Sequence, residues 1–125
     1  MYATQIETYK NVQKAGMSGR EIEASVLIKA ALMLKNCKDN WDSSGREAKL
    51  EEALKLNQMV WSIFEGEMVK EDNPLPKALR KDILSLGAFV DKRIFDIIAF
   101  PVSEKLDALI DINLNLAAGL MASSK

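Results

Sequence analysis

Apolar residues recur every three to four positions along almost the whole of this chain, and only three prolines and six glycines interrupt them. That period places them on one face of a helix, whereas a half-buried strand needs strict alternation. Most of the interruptions fall where segments would end, and there is no internal repeat or low-complexity stretch. With 125 residues and 48% hydrophobic content, the chain can bury one core. The spacing therefore predicts an all-α, single-domain antiparallel bundle of about five helices over residues 1–125.

The expected helices lie near 3–14, 19–38, 45–70, 74–100 and 103–121. The first turns Ile6, Tyr9 and Tyr2 inward and closes at Ala15-Gly16. Ser18-Gly19-Arg20-Glu21 reads as a capping box, and Ser44-Gly45-Arg46-Glu47 repeats it. The second helix has an inward arc of Ile22, Val26, Leu27, Ala30, Met33, Leu34 and Cys37, with Ile28 and Leu32 outside it. In the third, Leu50, Ala53, Leu54, Val60, Trp61, Phe64 and Met68 align. Asn73-Pro74-Leu75-Pro76 is a compact break in which Asn73 can cap. Pro101 stops the fourth helix and Ser103 can cap the fifth.

Composition removes several functions. Seventeen basic and eighteen acidic residues leave a net charge of −1, so no global field draws the chain to nucleic acid or anionic lipid. There is no histidine and a single cysteine, Cys37. That argues against structural zinc, a Ser-His or Cys-His nucleophile pair and a disulfide framework, and fits a reducing compartment. Pairs such as Glu47 with Glu51 and Asp107 with Asp111 lack the further oxygen ligands a divalent ion needs. No phosphate-binding loop is present. We expect no enzyme activity, cofactor or small-molecule substrate. Lys77, Lys81 and Lys92 share one side of the fourth helix but lack interleaved aromatics, so direct RNA binding is disfavoured. No signal peptide is visible at Met1-Tyr2-Ala3-Thr4-Gln5 and no stretch reaches membrane-spanning length, so insertion is not expected and a cytoplasmic location is.

The fourth helix carries more apolar residues than a surface helix needs. Leu79, Ile83, Leu86, Val90, Ile94, Ile97 and Ile98 make one face, extended by Leu84, Phe95 and Phe89. It is read first as the covered, central helix of the bundle, and second as a groove partly open to a partner helix. Trp61 is read first as core and second as an edge anchor. The candidate docking residues are thus Ile28, Leu32, Trp61 and Phe95. Three polar residues fall inside apolar arcs: Asn57 between Leu54 and Trp61, Arg80 near Ile83, Leu84 and Ile98, and Asn113 among Leu106, Leu109, Ile110, Ala117 and Leu120. The two amides are expected to be hydrogen-bonded to each other, to Arg80 or to a helix-end carbonyl, and so to fix register. Arg80 should be paired or snorkel to water.

Several segments in order resemble the FlaF family. They are Asn57-Gln58-Met59-Val60-Trp61-Ser62-Ile63-Phe64, then Asn73-Pro74-Leu75-Pro76-Lys77-Ala78-Leu79-Arg80, then Leu84 through Phe95, and the tail from Leu106 to Leu120. The resemblance covers the C-terminal half well and the N-terminal half mainly through its Met-Tyr start and helical layout. It implies a role in flagellum assembly, with flagellin and the translational repressor FlbT as partners. Two functions follow from it. One is a chaperone-like adaptor that binds flagellin. The other is a post-transcriptional regulator acting with or against FlbT on flagellin messenger RNA. Salt separates them, because phosphate contacts weaken steeply with ionic strength and apolar capture does not.

Overall fold

A computed structural model describes residues 19–123. It holds α1 (Gly19–Asp39), α2 (Arg46–Met68), α3 (Lys77–Ala99) and α4 (Leu106–Ser123), with a 3-10 turn at Ser103–Lys105 just before α4. The class is all-α, and no strand occurs among the described residues. Four helices stand among the described residues, where about five were expected over the whole chain. The segment 3–14 and the Ser18 cap lie outside the described residues.

Short connections make successive helices antiparallel. Lys38 Nζ at the end of α1 pairs with Asp107 at the start of α4, so these two helices also run in opposite directions. Their packing is the most extensive in the bundle; α2 packs on α1, α3 packs on α2, and α3 only touches α4. Small residues allow the tight α1 contacts. Ala24, Ala30, Ala31 and Ala53 are almost fully buried, and each lets a neighbouring backbone approach closely. Val26 and Met33, expected inside, are only half-buried. The buried face of α1 is thus rotated toward its alanines.

Helix ends differ from the sequence reading in three places. Ser44 makes no cap: Gly45 is the N-cap residue of α2, with φ 81° and no side-chain bond. That left-handed backbone suits glycine and takes the place of a capping box. Asn73 does not cap α3, which starts at Lys77 after Pro76. Its Oδ1 accepts from Leu75 N–H, and its Nδ2 donates to Glu67 O at the end of α2, each at 2.9 Å. Ser103 opens the 3-10 turn instead of capping α4, with Val102 as the N-cap residue of that turn and no side-chain bond.

Arg80, in the first turn of α3, reaches back to the same α2 terminus. Its Nε donates to Leu75 O at 3.1 Å, and its Nη1 to Lys70 O at 2.9 Å and, more weakly, to Met68 O at 3.4 Å. Carbonyls that a helix end leaves without partners are satisfied in this way. The guanidinium joins α2, the connecting loop and α3.

The core centres on Leu27, Leu34, Trp61, Met68, Ile83, Ile94, Leu106 and Leu109. Asn57 and Asn113 sit within it, both 0% exposed. Asn113 Nδ2 donates to Asn57 Oδ1 at 2.6 Å, and Trp61 Nε1 donates to Asn113 Oδ1 at 2.9 Å. Asn57 Nδ2 donates to Ala53 O at 2.8 Å and to Ala30 O at 3.3 Å. The cluster joins α1, α2 and α4, and no buried side-chain polar atom among the described residues is left without a partner.

Asn57→Leu removes the acceptor for Asn113 Nδ2 and strands a buried amide. We expect a loss of about 1–3 kcal/mol of stability, read by denaturant unfolding. Adding Asn113→Leu should recover part of the loss from the stranded amide, although Trp61 Nε1 then loses its acceptor. Equal stability of Asn57→Leu and the parent would show that the network contributes nothing.

Candidate partner-binding surface

The fourth expected helix, α3, is not the covered centre of the bundle. Its buried residues Ile83, Gly87, Val90, Ile94 and Ile97 follow a 4-3-4-3 spacing, which is a narrow seam. It rests on α2 along one side and barely meets α4 on the other. Two residues read as part of its core face are therefore exposed, Leu79 and Ile98, the latter at 60%. Phe95 at 76%, Phe100 at 71%, Phe89 and Val102 are exposed as well. The apolar excess visible in the sequence is real, but much of it faces outward at the C-terminal end of α3.

That end borders a groove of about 360 Å³ against the N-terminal half of α2. Leu50 and Leu54 from α2 and Ile97, Ile98 and Pro101 from the α3 end form its apolar floor. Its rim is charged but paired: Arg46 with Glu47 at 3.1 Å, and Lys55 with Glu51 at 2.8 Å. The carboxyl of Glu47 is held below its ordinary value by its own backbone N–H and by Arg46. Lys55 lowers that of Glu51. Arg46 also lies 4.5 Å over the Trp41 ring, which ties the α1–α2 loop to the rim.

Farther along the seam, the Glu65 side chain of α2 lies against Gly87 of α3. A Cβ there would stand 2.7 Å from Glu65 Oε1, so the missing side chain makes room for the carboxylate. Burial raises the Glu65 pKa above the ordinary 4.5, and the nearby charge of Asp91 raises it further.

The structure divides the candidate residues. Phe95 lies one turn before Ile98, which lines the groove, and is itself exposed. Ile28 and Leu32 are exposed one turn apart on α1, a helix that does not pack side by side with α3. They form a separate face. Trp61 corrects the alternative reading of an edge anchor: it is 0% exposed and hydrogen-bonded to Asn113, so no partner can reach it. Asn57, Asn113 and Arg80 are framework residues. Leu50, Leu54, Ile98, Phe100 and Val102 were not among the sequence candidates. The apolar excess around Pro101 was the available signal, but only packing shows which side of α3 stays open. Lys77, Lys81 and Lys92 are exposed.

Among the described residues no group of three or more His, Cys, Asp or Glu could hold a metal ion, and no helix is long and apolar enough to cross a membrane. The fold and surface define a small all-α bundle whose edge helix leaves an apolar groove open. Residues 5–120 match the family described as flagellar protein FlaF, and the chain belongs to that family. The match includes most of the N-terminal half, where the resemblance was weakest. No curated protein and no solved structure is significantly similar to the chain.

The raised Glu65 pKa gives a signed pH dependence. The folded state holds the proton more tightly than the unfolded state, so the charged carboxylate costs stability once pH rises through the raised value. Glu65→Gln should melt higher than the parent near neutral pH, and the gap should close as pH falls below 4.5. Melting temperatures across that range check it; a gap independent of pH would exclude Glu65 as its source.

Proposed function

We propose that this flagellar protein promotes flagellin synthesis or export by binding flagellin as a chaperone-like adaptor. The supporting observation is the apolar end of α3, where Phe95, Ile98, Phe100 and Val102 are exposed and Ile98 lines an apolar groove. Large exposed apolar residues grouped in one place mark a protein interaction surface better than single ones do. Family membership supplies the flagellar setting. In this reading the protein works by binding, without catalysis or cofactor, and meets flagellin in the cytoplasm before export. The regulatory alternative, acting with or against FlbT on flagellin messenger RNA, would need phosphate contacts. The exposed lysines of α3 are the residues positioned to make them.

Purified flagellin, FlbT and flagellin messenger RNA, titrated separately by calorimetry, decide between them. We expect flagellin to bind with an affinity that changes little between about 0.1 M and about 1 M salt. A Phe95→Ser/Phe100→Ser double variant should lose about tenfold or more. Binding only to the messenger RNA, falling steeply with salt and lost on neutralising Lys77, Lys81 and Lys92, would replace this reading with the regulatory one.

A further inference from the structure

We draw no further inference here: the strongest candidate, the apolar groove between the start of α2 and the end of α3, carries nothing beyond the reading above because nothing in the structure shows what covers it.

Discussion

The buried amide pair Asn57–Asn113 is the constraint around which the bundle is arranged. Apolar contacts alone tolerate sliding and rotation, because one leucine packs much like another. An amide removed from water does not, since each donor and acceptor without a partner costs free energy. The shared hydrogen bond at 2.6 Å brings α2 and α4 to one register. Trp61 Nε1 and the Ala30 carbonyl extend that registration to the largest core side chain and to α1.

The same arrangement determines what α3 can do. With α1, α2 and α4 joined through their interior, α3 is added from outside, on α2. Arg80 anchors its first turn to the carbonyls at the end of α2. At its other end Lys105, in the turn before α4, pairs with Asp96 and donates to Phe100 O. At the middle of α3, Gly87 leaves room for the Glu65 side chain of α2. A helix held along one side by α2, and at its last turn by Lys105 of the connection to α4, leaves its opposite side uncovered among the described residues. Phe95, Ile98 and Phe100 are exposed for that reason, and the groove beside them follows from the same geometry.

Much of the fold was legible in the sequence because helical periodicity is a local property. The segments 45–70 and 74–100 correspond to α2 and α3, and the amides were singled out because Asn57 and Asn113 interrupt otherwise apolar arcs. The helix ends were less legible. Ser44 and Asn73 have the right chemistry for N-caps, yet a left-handed Gly45 took one position, and the end of α2 recruited the other. Those outcomes depend on where the preceding helix stops, which capping preference does not encode. Trp61 shows the same limit from another side: a large aromatic suits a core or an interface equally well, and its burial depended on the position of Asn113 fifty-two residues away.

The sequence by itself determined the all-α class, the inward positions of most core residues and the resemblance to the FlaF family, because each is written in short-range spacing or in ordered local segments. Only the tertiary structure decided that α3 lies at the edge, that Ile98 and Leu79 are exposed while Trp61 is enclosed, and that Leu50 and Leu54 line a groove. A helical wheel gives the width of an apolar arc but not the number of neighbours available to cover it. That number is set by how the other helices pair, and among the described residues the α1–α4 contact leaves α3 with α2 as its one extensive partner.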